Sequence, residues 1–242
     1  ADQLRPSDRI RVIHNFVHFD QFDRSLTGDA FRAEFNIPAD APVVTMLGGV
    51  SEPKGTLTLV CALPDLVRLV PGVRVIIAGP PPKPLDEPGP KLAKRLLGVD
   101  AYQEAVQQAL DALNPQARAA LIFTGIRRDV PDLLAASDGV VFPSTVPHFA
   151  RPIIEAAAMG VPSVASNLGG PQELVADGET GLLVHPRDPA ALAHGIAEIL
   201  CDPARARAMG EAAYQRARRL FDAERNAAMT VALYDEVLRS TD

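Results

Sequence analysis

The sequence predicts an α/β fold: a doubly wound parallel sheet with helices on both faces. Three observations carry that expectation. Short strand-like runs, VVTML among them, are bounded by glycine, proline or polar turns. Segments of helical character lie between them, so successive strands need right-handed crossovers. Glycine-containing loops follow several strand ends, the place where such sheets bind ligands.

In order along the chain, Arg9–Ile13 alternates and is expected to be a strand leading into HNFVHFDQF. Val43–Leu47 is a buried-type strand, followed by Gly48, Gly49 and the loop VSEPKG. Thr56–Leu69 has apolar residues at helical spacing, and Val73–Ala78 is the next strand after the Pro71–Gly72 turn. Gly79–Pro90 is proline-rich and excludes regular structure. Lys91–Leu113 reads as helix broken near Gly98, and Leu121–Thr124 as a strand ending at Gly125. Asp129 is the expected N-cap of a helix to Ala136, with Pro131 in its first turn.

Gly139–Phe142 is a strand that empties through Ser144–Arg151 into a helix from Pro152 to Met159, stopped by Gly160 and Pro162. Ser163–Ser166 is a strand, Pro171–Ala176 a short helix, and Gly181–Val184 another strand. The remainder is helical: Asp188–Leu200, Pro203–Phe221 and Ala223–Leu238. The loops Gly48–Gly55, Gly125–Arg128, Ser144–Arg151 and Gly169–Gly170 are expected to converge on one sheet edge.

Composition narrows the function classes. The 242 residues carry a net charge of -6, which argues against a nucleic-acid-binding surface but permits a local basic pocket. Cys61 and Cys201 lack metal spacing and are expected as buried free thiols of a reducing, cytoplasmic setting. No apolar run reaches the ~18 residues of a membrane span. The chain begins at Ala1 within a polar run, which reads as a fragment of something longer, and peripheral membrane attachment is left to a segment outside it. Five histidines without paired spacing argue against a metal centre, and no G-x-S-x-G elbow is present.

The chemistry concentrates on a few side chains. A loop entering a helix N-terminus at a strand's carboxyl end is suited to phosphate. Glu155, placed in the first turn of that helix, either accepts hydrogen bonds from sugar hydroxyls or complements the helix dipole. GGVSEPKGT matches neither the P-loop nor the dinucleotide pattern. Its adjacent glycines permit close approach of a ligand, and Lys54 is either a diphosphate partner or a solvated loop lysine. Arg127 and Arg128 suit a phosphate, a base edge or plain surface charge. His148 and Arg151 suit a sugar hydroxyl and a phosphate, unless Phe149 plugs the core and its neighbours face water.

Together these stretches resemble the C-terminal, donor-binding half of retaining GT-B glycosyltransferases of the group 1 kind (family 4). VIHNFVHFDQF is similar to that family's entry into its second domain, GGVSEPKG to its GRLxxxKG loop, and HFARPIIEAAAMGVPSVASNLGGPQELV to its E-x7-E signature region. RRDVPDLLAASDGVVFPS and DGETGLLVHPRDPAALAHGIAEIL resemble the flanking segments. The resemblance implies a Rossmann-like sheet divided into a linker with a first strand (1–22), a nucleotide-sugar-binding domain (23–220) and a C-terminal helix (221–242) directed toward an N-terminal domain outside this chain. It implies a hexosyltransferase-like enzyme, incomplete as an isolated domain, with no cofactor or metal.

It further implies that Lys54 meets the donor diphosphate and Glu155 the ribose. Gly48 and Gly49 fall in the matching loop, Gly125–Arg127 lie near the base, and the backbone of Phe149, Ala150, Arg151 and Pro152 lies by the donor phosphates and sugar, with His148 as a substitute sugar contact and Arg151 or Arg127 as a substitute charge. Two departures stand out: the first glutamate of the pair falls at Pro147, and the arginine accompanying the lysine falls at Gly49. They leave a non-catalytic nucleotide-sugar-binding or scaffolding domain as the second expectation. An epimerase or phosphorylase ranks third, because no pyridoxal-phosphate lysine site is resembled.

Overall fold

The computed structural model describes residues 10–82 and 99–239. Six parallel strands form one sheet: β1 Val43–Leu47, β2 Arg74–Ala78, β3 Leu121–Gly125, β4 Gly139–Phe142, β5 Ser163–Ser166 and β6 Gly181–Val184. Their order is β3-β2-β1-β4-β5-β6. The chain winds outward from β1 to β3, returns to the far side of β1 at β4, and winds outward again. The reversal lies between β1 and β4, where the crossovers diverge and leave a crevice beyond the strands' carboxyl ends.

Helices cover both faces because the strand side chains alternate. Val44 and Met46 of β1 and Val75 and Ile77 of β2 face α2 (Thr56–Leu69), whose Leu59, Leu63 and Leu66 are buried against them. Further helices are α3 (Val99–Asp111), α4 (Pro115–Ala120), α5 (Val130–Ala135), α6 (Arg151–Ala158), α7 (Gly169–Leu174) and α8 (Pro189–Leu200). Leu192, Ile196 and Ile199 of α8 complete the α2 layer. Val43, Leu47, Ile76 and Ala78 point the other way, toward Phe31 of α1 (Asp29–Glu34), Leu133 and Leu134 of α5 and Ala156 of α6. The chain closes with α9 (Pro203–Leu220) and α10 (Ala223–Arg239).

Side-chain caps fix several helix starts. Asn114 accepts from Ala117 N at 2.8 Å, Asp188 from Ala191 N at 2.9 Å and Asp202 from Arg205 N at 3.0 Å, each followed by proline. Asp188→Ala is expected to cost about 1 kcal/mol and lower the midpoint in thermal denaturation by about 2–4 °C. An unchanged midpoint would show that the cap does not contribute.

Some expectations are corrected. Residues 10–13 form no strand; Ile10 and Val12 are exposed, and none of the strands among the described residues pairs with the segment. The segment is instead tied down further on. Val17 N donates to Phe221 O at 2.8 Å and Ala223 N donates to Val17 O at 3.2 Å, so the segment meets the α9–α10 joint. The short helix expected at Pro171–Ala176 lies two residues earlier, and the short α1 and α4 were not anticipated because so few residues show no periodicity. Asp129 precedes α5 but makes no side-chain cap; its carboxylate is turned to Arg127. Cys61 and Cys201 are exposed, not buried. The proline-rich stretch beyond residue 82 and the start of the Lys91–Leu113 helix lie outside the described residues.

Candidate functional site

A cleft of about 380 Å³ opens at the reversal point. Gly48 and Lys54 line one side, Gly79 and Pro80 the next, Ile126, Arg127 and Val130 a third, and Arg151, Pro152 and Glu155 close it. The sheet order brings these together: β1, β2 and β3 end beside one another, and α6 begins next to them across the β1–β4 boundary.

The glycine-rich loop doubles back on itself. Gly48 has φ 109°, and a Cβ there would lie 1.8 Å from Lys54 Nζ, so only glycine lets the ammonium rest on the loop. Nζ donates to Gly48 O at 2.9 Å. Among the described residues Lys54 has no carboxylate partner, and burial pushes its ammonium below the ordinary lysine range. Gly49 does not line the cleft. Its φ is 70°, and a Cβ would meet Pro80 N at 2.6 Å. The wall formed by Gly79 and Pro80 presses directly on it, leaving no room for a side chain.

Glu155 is the fifth residue of α6, beyond the first turn in which it was expected. This distance weakens the reading that it complements the helix dipole, which fades within the first turn. Burial raises its carboxyl above the usual range, and the hydrogen bond from Arg151 Nε at 2.8 Å opposes that rise. The Glu155 side chain is 16% exposed and the Arg151 side chain 63%, so the guanidinium lies over the carboxylate from the solvent side. At the mouth, Ala150 caps α6 without a side chain, and Ile153 N turns to Ala150 O at 3.0 Å.

Arg127 reaches the cleft with its guanidinium already engaged. It pairs with Glu34 through Nη1 at 2.6 Å and Nη2 at 2.9 Å, and with Asp129 through Nε at 2.8 Å. It also lies over the Phe31 and Phe35 rings at 5.3 and 5.5 Å. Two carboxylates hold its charge well above the ordinary arginine range and cancel its field at the cleft.

The remaining expected residues sit around the cleft, not in it. Gly125 has φ 71°, accepts from Gly79 N at 2.7 Å and thereby joins the ends of β2 and β3. His148 Nδ1 faces Val146 O at 3.1 Å. Phe149 is half-buried, packs on the α6–α9 core cluster and stacks at 6.4 Å on His14. Ala150 is fully buried. Gly170 abuts the same loop, since a Cβ there would lie 1.9 Å from His148 O.

Ile126 lines the cleft within the Gly125–Arg127 stretch expected near the base, whereas Pro80 and Val130 line it without a sequence signal, as isolated apolar residues at a strand end and a helix start carry none. Among the described residues no group of three His, Cys, Asp or Glu is placed to hold a metal, and no helix is long and apolar enough to cross a membrane.

Comparison with known proteins agrees with this architecture. Residues 28–216 match the family model described as "Glycosyl transferases group 1". A D-inositol 3-phosphate glycosyltransferase of Corynebacterium urealyticum is 32% identical over 212 residues, 84% of this chain and 45% of that protein. A sucrose-phosphate synthase from Thermosynechococcus elongatus superposes with a TM-score of 0.74 at 31% identity, covering 95% of this chain and 53% of that one. HepE of Anabaena, solved with UDP-glucose, gives a TM-score of 0.76 at 27% identity, over 95% of this chain and 57% of that one. The chain spans about half the length of these proteins.

Proposed function

Since this chain belongs to the group 1 glycosyl transferases, we propose that it is the donor-binding part of a retaining glycosyltransferase taking a nucleotide diphosphate sugar. The observation that carries this is the shared cleft: Lys54 and Glu155 face one space at the reversal point of the sheet. A cation without a carboxylate partner suits a diphosphate, and a recessed carboxylate suits the hydroxyls of a pentose. Ile126, Pro80 and Val130 supply the apolar wall a base requires. Arg151 is the second cation, because Arg127 is held by Glu34 and Asp129. On binding, ribose hydroxyls replace Arg151 at Glu155, and the exposed guanidinium turns to the phosphates.

In the reaction, negative charge grows on the departing diphosphate while the anomeric carbon becomes oxocarbenium-like. Lys54, Arg151 and the amides at the start of α6 would stabilise that charge, a function that needs no metal. The acceptor and any proton-accepting group come from the rest of a longer protein. The exposed Val231, Tyr234 and Leu238 share one face of α10, where that remainder would pack. The chain alone is expected to bind nucleotide without transferring sugar.

The test is calorimetric titration with UDP, GDP, ADP and their sugars. UDP is the first to try because HepE was solved with UDP-glucose. Absence of binding by all of them overturns the proposal. Binding should require ionised Glu155 and charged Lys54. It therefore rises with pH through a carboxyl pKa raised above 4.5 and falls through an ammonium pKa lowered below 10.5. An acid limb unchanged in Glu155→Ala, or an alkaline limb unchanged in Lys54→Ala, would contradict these roles.

A second reading, a binding domain without transfer activity, is favoured by Pro147 and Gly49. The resemblance places a carboxylate and a guanidinium there, and Pro80 leaves no space for the latter. Assay of the longer protein against a donor panel separates the two.

A further inference from the structure

The loop that carries Lys54 is held by a residue from outside the cleft. Tyr102, in the first turns of α3, sends its hydroxyl between the loop and α2. The hydroxyl donates to Ser51 O at 3.1 Å and accepts from Leu57 N at 2.9 Å. Its ring is half-buried, packed with Val50 and Leu57 against Val60, Val106 and Leu110. Thr56 assists from within: its hydroxyl accepts from Ser51 N at 3.1 Å and lies 3.3 Å from Gly49 O. Between Ser51 and Gly55 the chain turns so that Lys54 folds back onto Gly48 O.

We propose that Tyr102 is a positioning residue for Lys54, fixing through Ser51 and Leu57 the turn that delivers the ammonium to the cleft. The hydroxyl bonds both Ser51 within the loop and Leu57 at the start of α2, whereas Thr145 holds only the stretch between them, donating from Oγ1 to Glu52 O at 2.8 Å and from N to Pro53 O at 3.0 Å. Its bond to Leu57 N also engages one first-turn amide of α2. Without the hydroxyl, Ser51 O and Leu57 N turn to water, the turn loosens, and Lys54 samples positions away from the cleft. The inference rests on the donor-site reading for its effect on binding, but not for its effect on Lys54 itself.

The test has two arms. In the first, lysines are reductively methylated with 13C and the Lys54 methyl signal is assigned with Lys54→Ala. The Lys54 signal of the urea-unfolded chain serves as the reference. Tyr102→Phe, which keeps the ring, should move the Lys54 signal of the folded protein toward that reference. Val106→Ala, which loosens the same apolar cluster and leaves the hydroxyl, should not. In the second arm, affinities for UDP, ADP and GDP are compared with those for the matching monophosphates. Tyr102→Phe should weaken the diphosphate about 3–10-fold, a part of the loss expected on removing Lys54 itself, and leave the monophosphate within about twofold. The Lys54→Ala/Tyr102→Phe double variant should bind no more weakly than Lys54→Ala. An unmoved Lys54 signal, an equal shift in Val106→Ala, or additive losses would overturn the proposal. If the parent binds none of these nucleotides, the donor reading fails and the Lys54 signal alone decides the role of Tyr102.

Discussion

Lys54→Ala is expected to weaken nucleoside diphosphate binding by about 10–100-fold, the equivalent of one charge-assisted hydrogen bond to phosphate. The effect should be large because, among the described residues lining the cleft, no second unpaired cation stands ready. Arg127 is clamped by Glu34 and Asp129, and Arg151 must first leave Glu155. The substitution removes a half-buried amine whose desolvation already opposes its charge, so the fold should tolerate it. Calorimetry should show the loss for the diphosphate and a smaller one for the nucleoside. Equal affinity in parent and variant would place Lys54 outside the donor site. Lys54→Arg is not expected to restore binding fully, because the wider guanidinium cannot rest on Gly48 O as the ammonium does.

Gly49→Arg is expected to damage the protein instead of completing its site. The resemblance places an arginine at this position, so the substitution might be thought to restore half of the diphosphate clamp. The backbone opposes it. A left-handed φ of 70° together with a Cβ 2.6 Å from Pro80 N combines conformational strain with overpacking. The expected cost is about 2–5 kcal/mol, a fall of about 5–15 °C in the thermal midpoint. Nucleotide affinity should not rise. A stable Gly49→Arg variant that binds UDP more tightly would mean that the Gly79–Pro80 wall yields. Gly49→Ala separates the terms, because it carries the strain and the Cβ contact without the guanidinium.

The strands were legible because each is a short apolar run closed by a turn, and β1, β4, β5 and β6 match the ranges read from residues alone. The helix α2 was legible through its periodicity, and α8 and α9 through their aspartate–proline starts. The six-residue helices α1 and α4 were not, since they are held by tertiary burial of Phe31, Ala117 and Ala120. Arg9–Ile13 misled because alternation states what a strand would look like, not whether a partner edge exists.

Within the site, Lys54 and Glu155 stood out by residue type and loop position. Arg127 did too, but its neighbours Glu34 and Asp129 reverse its meaning. Glu34 is 93 residues away in sequence, so the spacing could not reveal the pairing. Tyr102 gave no signal, because a single tyrosine in an amphipathic helix is ordinary core.

The residue order by itself determined the alternation of strand and helix, the parallel character of the sheet, and the loops that would carry chemistry. Those properties follow from local periodicity and turn stereochemistry. The tertiary structure alone decided the strand order, and with it which loop ends share a cleft. It also decided which cations keep an unpaired charge, which glycine is closed to any side chain, and which distant hydroxyl braces the lysine loop. These depend on through-space distance and burial among segments far apart in the chain, which no local pattern encodes.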